Sequence, residues 1–321
     1  MKEIGLGIYG DNGHQVYIED YDETDRQGRV KIYGYAACEE HPEWPDATEY
    51  NGLDDMLSDP RISLISLCSP KRANQAKDAV KCLKAGKHVY AEKPCALTEE
   101  ELDLIIKTAA ETGLQFHEMA GTTFQQPYAA MKELVADGVI GDVVQVFAQK
   151  SYPACFDWRP ADEDIDGGLI RQVAVHAFRM VEQVTGLKIT ACKAVETSKG
   201  SEGDCAGMHM ASSFILTLED GAVASVLANY LNPRDGFGNH ANEHLRVFGT
   251  KGFIESVHNG DDTRVCLTNK DLGSFDTTAK MKTYFELFID SLCGEGAMPL
   301  SLEDELHPTR WVIRAKESAY K

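Results

Sequence analysis

From residue 3 to about 120, short runs of β-branched and apolar residues alternate with stretches of helical period. The runs cover 4–9, 30–38, 62–68, 88–91 and 114–118, and helical spacing covers 14–26, 52–58, 72–85 and 98–112. This alternation is the sequence form of repeated strand–helix–strand units on a parallel sheet. The helix over 98–112 carries its own boundary signals, because Thr98 with Glu101 makes a capping box and Gly113 follows the last turn. A further helix over 127–137 stops at Gly138. Longer strands then take over at 143–150, 188–196, 207–218, 222–231, 244–249 and 252–257, with Glu219-Asp220-Gly221 as a hairpin turn. One helix over 166–186, closed by Gly186, interrupts them, and two amphipathic helices near 281–293 and 302–317 end the pattern. The expected architecture is an α/β domain over 1–121 followed by an α+β domain over 122–321 with an open, mostly antiparallel sheet.

Composition narrows the partners. Asp and Glu number 51 against 32 Lys and Arg, a formal charge of -19, so nucleic acid and anionic membrane surfaces are not expected to bind. The nine cysteines are scattered without a CxxC pair, which argues against a zinc ribbon or a disulfide framework and for a reducing, cytoplasmic setting. The chain opens straight into a strand pattern, and nowhere do 18 apolar residues run together, so neither an export signal nor a membrane span is expected.

Gly5, Gly7 and Gly10 match GxGxxG formally, but the first two lie inside the first strand. The turn that would face phosphate is Gly10-Asp11-Asn12-Gly13, with Asn12 where the second fingerprint glycine belongs. Asn tolerates left-handed backbone better than most residues, so such a turn survives the exchange. Alone, the motif fits an ordinary strand–turn–helix equally well. Glu39 or Glu40 after the second strand could accept ribose hydroxyls and repel a 2′-phosphate, favouring NAD while not excluding NADP.

Residues 85–97 read AGKHVYAEKPCAL, and this segment resembles the signature of the glucose-fructose oxidoreductase / inositol dehydrogenase / MocA family. Other segments resemble the same family in order: SPKRANQA at 69–76, GVIGDVVQV at 138–146, DWRP at 157–160, VFGTKGFIE at 247–255 and YFELFIDSLCGE from 284. The resemblance implies a Rossmann domain over 1–121, a substrate-binding and oligomerisation domain over 122–321, and hydride transfer between NAD(P) and a sugar, polyol or related hydroxy compound. It also implies a cofactor site at Gly10, Asn12, Gly13, Glu39, Ser69, Pro70, Glu92 and Lys93. Lys93 would stand at the carboxyl edge of the parallel sheet, its ammonium polarising the reacting oxygen.

Where family members often carry GG.L.D.G.H..D, this chain has Gly167, Gly168, Gln172, Ala174, His176 and Arg179. The histidine is retained and both carboxylates are replaced. The resemblance makes His176 the general base, with Lys93 supporting the developing alkoxide from the other domain. On one helix Gln172 and His176 would share a face. Gln172 can hydrogen-bond an imidazole or a substrate hydroxyl but supplies no charge, so the pKa of His176 is expected below that of a carboxylate-paired histidine. Trp158 and Arg159 are further candidates to line the substrate pocket. His240 and His244 have helical metal-ligand spacing but lie in a Gly/Asn/Pro-rich stretch, so no metal site is expected there. Alternation on sequential strands, Val223, Ser225, Leu227 and Phe214, Leu216, Leu218, suggests a homodimer or homotetramer through the outer sheet face. Redox-neutral lyase or glycosidase chemistry and a non-catalytic NAD-binding regulator remain alternatives.

Overall fold

The computed structural model describes residues 3–13, 28–39, 44, 46–154, 159–233 and 241–320. The chain forms two compact units, Met1–Gly121 with Asp164–Gly167 and Lys282–Leu306, and Thr122–Glu163 with Gly168–Met281 and His307–Lys321. Residues 164–167 and 282–306, assigned from the sequence to the C-terminal domain, thus belong with the N-terminal one. The helices among the described residues are α1 (Leu53–Leu57), α2 (Gln75–Lys84), α3 (Glu99–Thr112), α4 (Tyr128–Ala136), α5 (Glu163–Asp166), α6 (Val175–Thr185), α7 (Tyr284–Cys293) and α8 (Leu302–Ser318). The helix expected over 14–26 lies outside the described residues. No described helix is long and apolar enough to cross a membrane.

Among the described residues the first unit holds six strands: β1 (Ile4–Tyr9), β2 (Val30–Ala36), β3 (Thr48–Glu49), β4 (Leu64–Leu67), β5 (His88–Ala91) and β6 (Phe116–Glu118). All pairs are parallel, in the order β3-β2-β1-β4-β5-β6. A parallel sheet is covered on both faces, so its strands are apolar throughout, and all four residues of β4 are buried. The chain steps to opposite sides of β1, and the carboxyl end of that switch point is where open α/β sheets bind ligands. The Thr98–Glu101 capping box and the left-handed Gly113 close α3 as the sequence predicts. The α7 helix supplies core to this unit: Phe285 and Phe288 pack at 5.3 and 5.9 Å from the Tyr90 ring. Glu305 accepts the Glu118 amide at 2.7 Å and lies 2.6 Å from His117 Nδ1.

Among the described residues the second unit holds an eight-stranded sheet of β7 (Val143–Ser151), β8 (Ile189–Thr197), β9 (Ala211–Leu218), β10 (Val223–Asn229), β11 (Asn242–Gly249), β12 (Gly252–Val257), β13 (Asp262–Leu267) and β14 (Lys270–Gly273). Its order is β14-β13-β12-β11-β7-β10-β9-β8, antiparallel except for β7 beside β10. Phe178 of α6 meets Phe214 of β9 edge-on at 5.1 Å, so α6 covers one face. Phe214, Leu216 and Leu218 are therefore core residues, correcting the expectation that they face outward. Val223, Ser225 and Leu227 do lie on the opposite, more exposed face, with Ile215 and Val195.

The helix expected over 166–186 is broken. Gly167 and Gly168 take φ of 95° and 73°, where a side chain would be strained, and a Cβ on Gly168 would lie 2.4 Å from Glu163 Cδ. A π-helical turn over Ile170–Ala174 follows, and only then does α6 run to its left-handed cap Gly186.

Candidate active site

In the first unit the turn after β1 meets the loop after β4. A Cβ on Gly10, with φ 73°, would lie 1.9 Å from the Cys68 carbonyl oxygen, so only glycine lets these backbones approach. Asn12 Nδ2 donates to the Pro70 carbonyl at 3.3 Å and also to the Ile165 carbonyl. The Ser69 amide donates to Gln75 Oε1 at 2.8 Å, and Gln75 Nε2 donates to the Leu67 and Glu92 carbonyls at 2.8 and 2.9 Å. Gln75, which the sequence did not single out, thereby fixes the carboxyl ends of β4 and β5 to one another. Ser69 Oγ donates to Asp78 at 2.7 Å, and burial lifts the Asp78 carboxyl above its ordinary value.

Lys93 stands two residues beyond β5, where the sequence reading places it, and is only 5% exposed. Its Nζ lies 3.4 Å from Glu92 Oε1. A lysine is almost never this buried without a task or a counter-charge, so it is not a solvated surface residue. Glu39 is exposed, three residues past β2.

The residues fit a dinucleotide: a glycine-flanked turn sits at the switch point, and beside it two nitrogens of the buried Arg72, Nε and Nη1, have no acceptor among the described residues. Guanidinium donors beside such a turn suit phosphate oxygens.

In the second unit the parallel pairing of β7 and β10 brings the residues just past both carboxyl ends together, because Ser151 pairs with Asn229. Tyr152 and Tyr230 are those residues. Arg159 lies over both rings, its guanidinium carbon 5.8 and 4.3 Å from their centres. Arg159 Nη1 donates to Gln172 Oε1 and, at 3.0 Å, to the Tyr230 hydroxyl, while that hydroxyl donates to Gln172 Oε1 at 3.0 Å. Gln172 is thus held by Arg159 and Tyr230 from the π-turn; it does not sit with His176 on one regular helical face. His176, buried near the start of α6, has its ring edge-on to Tyr152 at 6.3 Å and its Nδ1 3.4 Å from Thr122 Oγ1. Arg179 is fully buried, with Nη2 3.5 Å from Thr309 Oγ1.

The base of this cluster is ionic. Lys150 Nζ pairs with Glu243 Oε1, the Tyr128 hydroxyl donates to Glu243 Oε2 at 2.6 Å, and Lys150 lies 4.8 Å from the Tyr152 ring centre. Burial acts to lower the Lys150 pKa, but the Tyr152 hydroxyl and the Glu243 carboxylate outweigh it and hold the ammonium above its ordinary value. Burial, then Glu243, raises the Tyr128 phenol. The sequence reading missed Thr122, Lys150, Tyr152, Tyr230 and Glu243. The usable signal was that β7 and β10 both end in polar residues followed by tyrosine.

Trp158 and His240 lie outside the described residues. His244 Nε2 is 2.9 Å from Glu255 Oε1 and its ring packs on Phe147 at 4.9 Å, a packing role on the sheet. Glu163, Glu196 and His209 come close enough to hold a metal ion, but Lys316 Nζ already sits 2.6 Å from Glu163 and 2.9 Å from Glu196, giving the carboxylates their cation.

Known proteins match both units. The family described as "Oxidoreductase family, NAD-binding Rossmann fold" matches residues 4–119, and "GFO/IDH/MocA C-terminal domain" matches residues 128–255. The chain is 24% identical over 252 residues to myo-inositol 2-dehydrogenase of Thermotoga maritima, covering 76% of this chain and 71% of the relative. It is 22% identical to scyllo-inositol 2-dehydrogenase (NADP(+)) of Bacillus subtilis over 99% of this chain and 93% of the relative. The solved structure of aldose-aldose oxidoreductase from Caulobacter crescentus superimposes with a TM-score of 0.81 at 17% identity, covering 99% and 97% of the two chains, a likeness of fold. The chain belongs to the GFO/IDH/MocA family of oxidoreductases, with an NAD-binding Rossmann domain and the family's C-terminal domain.

Proposed function

We propose that this oxidoreductase oxidises a secondary hydroxyl of a sugar or polyol, or reduces the corresponding carbonyl, with Lys93 and His176 acting on the reacting oxygen. The observation that carries the reading is the buried polar cluster of Arg159, Gln172, His176 and Tyr230 at the paired ends of β7 and β10. Several fixed donors and acceptors suit a ligand with many hydroxyls and penalise one that lacks them. When bound, the nicotinamide ring takes or returns the hydride. The turn residues Gly10, Asn12 and Gly13, with Ser69, Pro70 and Glu92, would hold that cofactor, and Glu39 would meet its adenosine ribose.

For His176 Nε2 to receive the hydroxyl proton, Nδ1 must carry the other hydrogen, and Thr122 Oγ1 is the acceptor placed for it. Lys93 donates to the same oxygen as charge develops on it. Arg159, Gln172 and Tyr230 orient the remaining hydroxyls, with Trp158 as a further wall. The exposed Ile215 and Val223 on the outer sheet face support a homodimer or homotetramer. The eight described cysteines are free thiols, which supports a reducing, cytoplasmic setting.

The test is a panel of sugars and polyols with NAD and NADP, followed by absorbance of the reduced nicotinamide. At least one should give sustained turnover. Product formation with no change in the free cofactor pool would instead favour redox-neutral chemistry, and cofactor binding without turnover would favour a regulator.

A further inference from the structure

Arg72 opens the 3-10 turn after β4 and is among the most completely buried large side chains of the molecule. Its Nη2 donates to the carbonyl of Asn12, the residue where the fingerprint calls for a second glycine. Nε and Nη1 of the same guanidinium are buried with no acceptor among the described residues. A Cβ placed on Gly13 would lie 3.1 Å from Nη2, so the guanidinium lies directly against the turn. Glu92 is the nearby carboxylate: its Cγ would be 2.8 Å from that same Cβ, yet neither of its oxygens accepts a hydrogen bond from the described residues, and its ion pair among them is with Lys93. The Arg72 cation and the buried Glu92 anion therefore border the turn, and Lys93 pairs with that anion. A buried guanidinium with spare N–H groups is costly unless an anion completes it.

We propose that Arg72 is a diphosphate-binding residue of the cofactor site, supplying through a forked guanidinium the grip on phosphate that Asn12 takes away from the backbone. The second fingerprint glycine works by letting main chain approach the diphosphate. Here the Asn12 side chain is committed to the Pro70 and Ile165 carbonyls, and its own carbonyl anchors Arg72 at the turn. The guanidinium has N–H groups left over, and planar donors of this kind match phosphate oxygens in pairs.

The inference rests on the cofactor reading and is tested by binding, with no turnover required. ADP-ribose, AMP and UDP are titrated calorimetrically into wild type, Arg72→Met and Arg72→Lys, with apo thermal midpoints recorded alongside. Arg72→Met should weaken ADP-ribose by about 10- to 100-fold, the size of a lost charge-assisted contact, and AMP by much less. Arg72→Lys keeps the charge, protects folding if the Met variant is unstable, and should fall between the two because it lacks the fork. Equal weakening of ADP-ribose and AMP, or unchanged affinities with only a lower thermal midpoint, would make Arg72 an internal partner of Glu92 and overturn the proposal. Loss confined to UDP would also overturn it, by moving the grip to a nucleotide-linked substrate. Wild type that takes up no ADP-ribose would overturn the cofactor reading together with it.

Discussion

Replacing Glu243 by alanine leaves the Lys150 ammonium buried without its carboxylate and removes the acceptor of the Tyr128 hydroxyl. Lys150 and Glu243 are 4% and 5% exposed, so water does not substitute for the lost partner. Removing one member of a buried ion pair costs about 3–5 kcal/mol, mostly the cost of the charge left behind. At about 2–4 °C per kcal/mol for a unit of this size, the thermal midpoint of the second unit should fall by roughly 6–20 °C. The pH dependence follows from the raised Lys150 pKa. A lysine raised in the folded state contributes fully below its ordinary value of 10.5 and loses that contribution as pH rises through the folded value. The wild-type contribution of the pair should therefore be undiminished across neutral pH. Glu243→Gln, which keeps one acceptor oxygen for Lys150 and presents an amide N–H that the Tyr128 hydroxyl can accept, should cost less, and Lys150→Met with Glu243→Leu should recover much of the loss. Differential scanning calorimetry measures all four proteins. A loss under about 1 kcal/mol in Glu243→Ala would be the cost of an exposed pair and would refute the buried ionic base of the cluster.

Lys93→Met and His176→Ala should each lower kcat by roughly 10²- to 10⁴-fold with folding intact by circular dichroism, and a variant retaining a third of the activity would lose its assigned role. Glu39→Ser should raise kcat/KM with NADP relative to NAD, since it removes the charge set against a 2′-phosphate; an unchanged ratio would release Glu39 from cofactor selection. For Glu163, burial alone would raise the pKa, but the Lys316 ammonium and His209 hold it below its ordinary 4.5, so its contribution to stability is present above that value and fades as pH falls through the lower folded value. Urea midpoints of wild type should consequently drop in that acid window, while Glu163→Gln should show a flatter profile; parallel profiles would contradict the assignment. Light scattering at micromolar concentration should give a dimer or tetramer, and a monomer mass would leave the outer sheet face without a partner.

What could be read in the sequence was local. The capping box at Thr98 and Glu101, the strand ending before Lys93 and the alternation along β9 and β10 each depend on a few neighbouring residues, and each is found near its expected place. Alternation told which residues of β9 share a face but not which face meets α6, so Phe214 was set outward when it is core. The break at Gly167 and Gly168 was hidden because apolar spacing on either side continues a helical count across two left-handed residues. Strands β13 and β14 were missed because they are short, polar strands at one end of the sheet, with Val265 their one buried residue. The site residues Lys150, Tyr152 and Tyr230 needed the parallel register of β7 and β10, which joins positions about eighty apart in the chain and leaves no local trace.

The most direct test of the account is transfer of label. A substrate of this protein carrying deuterium on the carbon of its reacting hydroxyl should deliver one deuterium to the nicotinamide for each molecule oxidised, read by mass spectrometry of the released coenzyme. Oxidised product accompanied by unlabelled coenzyme would contradict hydride transfer to the nicotinamide and with it the roles assigned to Lys93 and His176.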